Sequence, residues 1–129
     1  GHLKPEVADD IVETLNEGTL LINYVGHGNP EQWAHEQVFS RTDDLPRLNN
    51  LERLPLVFAA SCAIGFFDDP RRQGMAEDLL SLPTGGAVGV VSATRLVYAQ
   101  SNADFNKAVF DVLLMQDSLS ICEGSIPRA

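Results

Sequence analysis

Only two cysteines, Cys62 and Cys122, occur in the 129 residues. They are too few for a disulfide scaffold and too far apart for a C-x-x-C metal or redox motif. Basic residues are scarce as well: Lys plus Arg number 9 against 18 Asp plus Glu, a net charge of -9. A chain of that sign repels a phosphate backbone and an anionic membrane, which argues against nucleic acid as a partner. No apolar run approaches the ~18 residues that cross a bilayer, and no basic stretch followed by an apolar core marks the first residues. Neither G-x-G-x-x-G nor G-x-x-x-x-G-K-[ST] is present, so an α/β domain whose loops hold an anion ranks last among the functional readings. The length fits one domain, read as 1–129.

What is present is two short apolar runs, each ending in a residue that can do chemistry. Residues 20–25 run into Gly26-His27-Gly28, and residues 56–60 run into Ser61-Cys62. Such β-branched and aromatic runs bounded by Gly or Pro read as buried strands. Ligands of open parallel sheets bind where strand carboxyl ends open onto a crevice. If the two strands are neighbours, an imidazole and a thiol meet at that rim, the minimum equipment of a cysteine nucleophile with its base.

The remaining chain alternates. Helical spacing predicts a helix over 5–17, ending at Gly18. The crossover 28–50 is irregular, with short helices expected over 31–39 and 43–48. A loop follows Cys62, then a helix over 73–82 with Met75, Leu79 and Leu82 on one face. A third buried strand is expected over 87–91. The strongest helix signal is 101–116, with Ser101 and Asp104 as a capping box and Phe105, Ala108, Val109, Val112 and Leu113 as its buried stripe. The order α-β-α-β-α-β-α predicts a mostly parallel sheet covered by helices on both faces. Three strands make a thin sheet, so the chain is expected to be part of a larger catalytic unit.

The succession Gly26-His27-Gly28, Trp33, Ser61-Cys62 followed by Gly65 and Phe67-Asp68, Ala76-Glu77, Thr84-Gly85-Gly86-Ala87-Val88 and Ser92-Ala93-Thr94 resembles the gingipain family of caspase-like cysteine peptidases over residues 22–113. The resemblance implies a caspase-like three-layer sandwich. It implies His27 as the catalytic histidine, Cys62 as the nucleophile, and Gly28 as the residue whose amide, with that of Cys62, binds the oxyanion. The substrate pocket would draw on the segment after the third strand, Ser92, Ala93, Thr94 and Tyr98, with Trp33 either walling it or covering the sheet edge. Arg95 beside that pocket argues against a basic substrate side chain. The acidic residue that selects Arg or Lys, and the carboxylate that orients the imidazole, lie upstream of the His in this family and have no counterpart here. An upstream segment of the same protein is therefore the expected partner, besides a polypeptide substrate. Secretion or a cell-surface location also follows from the resemblance. No cofactor is required and no metal ligand set is assigned. Asp68 and Asp69 are the one place for Ca²⁺, read more simply as the start of a loop. Glu77 reads as a structural anchor, His35 as an exposed crossover residue and Cys122 as structural.

A free thiol is mostly protonated at neutral pH, so Cys62 needs a nearby imidazole to become the reactive thiolate. His27 can supply that and can then protonate the leaving amine. Taken alone, a histidine between glycines is a turn residue and a lone cysteine a small buried hydrophobe. Their placement at two strand ends is what favours a cysteine endopeptidase over a non-catalytic module of the same fold with a binding or secretion-associated role.

Overall fold

A computed structural model describes residues 5–71 and 73–114. Helix α1, Pro5–Glu17, opens the chain and buries Ala8, Val12 and Leu15. It stops where Gly18, at φ 102°, turns back to donate to the Thr14 carbonyl, a left-handed C-terminal cap that favours glycine. Strand β1, Leu21–Val25, follows.

The expected crossover helices are replaced by a small antiparallel sheet: β2, Gly28–Asn29, β3, Gln32–Trp33, and β4, Phe39–Ser40. The Asn29 side chain accepts from the Glu31 and Gln32 amides at 2.7 and 3.0 Å, a local turn that competes with helix. Trp33 and Phe39 then pack ring against ring in the core. Only one helical turn, Leu45–Arg47, survives of the second predicted helix.

Strand β5, Leu56–Ala60, is central. Helix α2, Met75–Ser81, is shorter than expected because its start is set by Gly74, whose amide donates to the Glu77 carboxylate at 2.8 Å. Glu77 thus caps the helix. Strand β6, Gly89–Ser92, begins two residues later than expected, since Ala87 and Val88 donate instead to the Leu79 and Pro55 carbonyls. The main sheet has the order β1-β5-β6 and is wholly parallel, with Leu21 opposite Leu56, Val25 opposite Ala60, and Ala59 opposite Ser92.

Alternation along β5 sends Val57 and Ala59 into the core with α1, α2, Trp33 and Phe39. Phe58 faces the other way, against Phe105 and Phe110 of helix α3, Ala99–Leu114. Helices thus cover both faces, the three-layer α/β arrangement expected. Helix α3 itself departs from expectation. It starts at Ala99, so Ser101 lies within the first turn, and the Asp104 carboxylate accepts from the Gln100 side chain at 2.8 Å. None of its residues is fully buried. The half-buried face is Asn102, Asn106, Val109 and Phe110, while Phe105, Ala108, Val112 and Leu113 are exposed. Two asparagines interrupt that face, and Asn106 exchanges amide bonds with Asn23 of β1. The predicted end of this helix and Cys122 lie outside the described residues.

Candidate active site

The β1–β5 ladder runs on to the Gly26 amide, which donates to the Ala60 carbonyl at 3.4 Å. His27 and Cys62 therefore leave adjacent parallel strands at the same end of the sheet. Both line a single cavity of about 200 Å³, together with Val97, Ala99 and Asn102.

Each residue is held by its own turn. The His27 carbonyl accepts two bonds, from the Tyr24 hydroxyl at 2.6 Å and the Ala34 amide at 2.7 Å. Tyr24 is fixed in turn by Trp33, stacked at 4.7 Å between centroids and 10° between planes. Burial raises Tyr24 above the ordinary phenol value, so its hydroxyl keeps the proton it donates. Gly28 seats the following backbone against β5: a Cβ there would lie 2.4 Å from the Ser61 hydroxyl and 3.0 Å from Ile64. Beyond β5 the chain bends sharply, with Ser61 donating to the Ala59 carbonyl at 2.8 Å and Ala63 at φ 51°. A left-handed non-glycine residue costs ~1–2 kcal/mol. Here it follows directly on Cys62, which lines the cavity.

The loop after β6 is stitched to this bend. Ala63 and Gly65 donate to the Arg95 and Ala93 carbonyls at 3.1 and 3.0 Å, and the Cys62 thiol faces the Val97 carbonyl at 3.7 Å. Arg95 pairs with Asp68 and lies over the Phe66 ring. The guanidinium holds the Asp68 carboxyl below its ordinary value. Its charge is thus engaged outside the cavity, which removes the argument that Arg95 opposes a basic substrate side chain.

Ser92 and Ala93 line an adjoining cavity of about 250 Å³ with Phe58, Val91 and Phe105. Thr94 and Tyr98 are exposed, Tyr98 by 86 %, and line neither cavity. Trp33, read as a pocket wall or edge cover, is 2 % exposed and sits in the core beneath Tyr24. Its part in the site is indirect, as the platform for the hydroxyl that holds His27. Sequence reasoning also gave no role to Ser61, which lines the thiol cavity and whose hydroxyl is buried without a protein hydrogen-bond partner. Asp68 and Asp69 face Arg95 and Arg71. Among the described residues no cluster of three or more His, Cys, Asp or Glu can hold a metal, and no helix is long and apolar enough to cross a membrane.

The sequence matches peptidase family C25 over residues 1–126. The chain belongs to this family. Gingipains of Porphyromonas gingivalis are similar in part: gingipain R2 is 33% identical over 58 residues, which is 45% of this chain and 8% of that protein. Gingipain R1 is 33% identical over the same length, 6% of its own. The crystal structure of the Arg-specific cysteine proteinase gingipain R superposes with a TM-score of 0.68 at 25% identity, covering 88% of this C25 chain and 26% of the solved one. A complex of Porphyromonas gingivalis pro- and mature domains shares the fold, with a TM-score of 0.67 at 24% identity. This C25 chain thus spans about a quarter of its solved relatives and a smaller part of the curated ones.

Proposed function

We propose that the protein is a cysteine endopeptidase that hydrolyses peptide bonds through Cys62 and His27 by way of an acyl-enzyme. The observation that carries this reading is the β1–β5 register, which delivers both residues to one cavity in a chain of a cysteine peptidase family. His27 takes the thiol proton, and the thiolate attacks the scissile carbonyl carbon as the carbonyl electron pair moves onto oxygen. The amides of Gly28 and Cys62 receive that oxyanion, a donor of this kind being worth ~3 kcal/mol. The intermediate collapses, the carbon–nitrogen bond breaks, and the leaving nitrogen takes the proton from His27. Water, deprotonated by His27, then hydrolyses the thioester and the thiol is restored. For attack the thiol must leave the Val97 carbonyl.

The substrate is a polypeptide. The cavity lined by Ser92 and Ala93 is the pocket for the side chain before the scissile bond, and the described residues around it carry no carboxylate. A basic side chain would need an acidic partner from elsewhere in the protein, because a buried cation without one is expensive. We read residues 1–129 as part of the peptidase domain, completed by upstream segments of the same polypeptide, acting without a cofactor at the cell surface or outside the cell. A non-catalytic binding or secretion-associated module is the second reading, favoured by the thiol facing the Val97 carbonyl.

Iodoacetamide labelling followed by mass spectrometry separates the two. The peptidase reading expects Cys62 to react faster than Cys122 and His27→Ala to slow it severalfold. Equal rates with and without His27 would leave the thiol uncoupled and favour the module.

A further inference from the structure

His35 is exposed, and the imidazoles of His27 and His35 lie 6.0 Å apart between centroids, tilted by 39°. The approach is built by the loop after β3. Ala34 and Gln37 bracket His35 with left-handed backbone, at φ 58° and 51°. The Ala34 amide donates to the His27 carbonyl, its own carbonyl accepts from the Gln32 side chain at 2.8 Å, and Gln37 closes the turn onto Ala34. One backbone hydrogen bond thus ties the loop that carries His35 to the residue that carries the second imidazole.

We infer that His35 contacts the substrate residue following the scissile bond and selects side chains there that accept a hydrogen bond, carboxylate or carboxamide. The inference rests on the peptidase reading above. A general acid must reach the nitrogen that it protonates, and the leaving nitrogen belongs to the residue after the scissile bond. That nitrogen therefore lies against the His27 ring. The side chain of its residue starts two bonds away, beside the His27 ring, and His35 is the imidazole 6.0 Å from that ring. An imidazole has at least one N–H in either protonation form, so His35 donates at any working pH.

The test uses the longer natural protein that includes this chain and four internally quenched peptides. They share an unprimed half chosen from a mixed library and carry Glu, Gln, Ala or Lys immediately after the scissile bond. The wild type is expected to favour Glu and Gln over Ala and Lys in kcat/KM by about five- to tenfold, the range for a hydrogen bond at an exposed site. His35→Ala brings the four values together while the ranking of unprimed side chains is retained. His35→Gln keeps an N–H donor and restores the preference. No preference in the wild type, the same preference in His35→Ala, or an equal loss on all four peptides would overturn the inference; the last would mean that His35 acts through His27. A peptidyl aminocoumarin, which has no residue after the scissile bond, tests the peptidase reading separately. Hydrolysis abolished by Cys62→Ala supports that reading whatever the four peptides show, and no hydrolysis by the wild type overturns both.

Discussion

Asn50 is a residue that carries far more than its sequence position announces. It is fully buried, its amide donates to the Arg53 and Gly86 carbonyls at 2.9 Å each, and its oxygen accepts from the Gly86 amide at 2.7 Å. It joins the segment before β5 to the segment before β6. Asn50→Ala leaves buried backbone groups without partners, and we expect a loss of ~2–4 kcal/mol in chemical denaturation. Tyr24→Phe isolates a different effect. The stack on Trp33 is kept and only the hydroxyl that holds the His27 carbonyl is lost. A hydrogen bond of that kind is worth ~1 kcal/mol, so Tm should fall by only about 3–4 °C while kcat of the longer protein falls severalfold in steady-state assays. A fall in Tm with kcat unchanged would make Tyr24 merely structural. At this scale the sequence showed the two residues that share the cavity but not their supports. His27 and Cys62 stand out because strand runs end on them. Asn50 acts by joining segments 36 residues apart, and Tyr24 through a hydroxyl aimed by its stack on Trp33, and no local pattern displays either.

Among the elements, the stitch between the loops after β5 and β6 is the one whose strength depends on charge. Asp68 is held below its ordinary value by Arg95, so the folded state favours the carboxylate. The contribution is fully present above the ordinary carboxylate value near 4 and is lost only as pH falls through the lowered one. We expect the Ala63 and Gly65 amides, which donate across the stitch, to keep constant protection factors in hydrogen exchange from pH 5 to 8. In Asp68→Asn they should lose protection by a few-fold at most, as fits an exposed pair. Unchanged protection in Asp68→Asn would mean that the backbone bonds alone hold the loops. Legibility differs by element for physical reasons. The main strands were readable because β1 and β5 are short, apolar and punctuated. The crossover was misread because Trp33 and Phe39 suit either a helix face or a strand, and core packing decided. Helix α3 was found, but its covered face was misplaced, because apolar spacing cannot show that Asn106 meets Asn23 of β1 and that Asn102 lies on the same half-buried face.

For the whole molecule, the order of helices and strands was enough to give the parallel sheet and its layers. It could not give the completeness of the site, since the chain spans only 26% of the solved gingipain R. Under the peptidase reading we propose, the orienting carboxylate and the walls that hold a peptide come from residues beyond those described. Orientation of reactants contributes ~7–11 kcal/mol in well-positioned systems. We therefore expect the 129-residue chain alone to react with small electrophiles but to cleave a mixed peptide library slowly or not at all. A longer protein with its upstream segment should turn over, and Cys62→Ala should abolish that. Cleavage by the short chain at the rate of the longer one would show that the walls come from these residues after all.

The parallel register has a consequence for timing. Each residue of β1 pairs with one thirty-five positions later, as Leu21 does with Leu56, and no tight hairpin can bring such strands together. Contacts across so long a stretch form late, once enough of the chain has condensed to offset the entropy of closing it. Until then His27 and Cys62 are strangers on one flexible polymer. Under the peptidase reading we propose, the two are coupled only in the finished sheet, so the fold would act as a check on when this cysteine becomes a reagent.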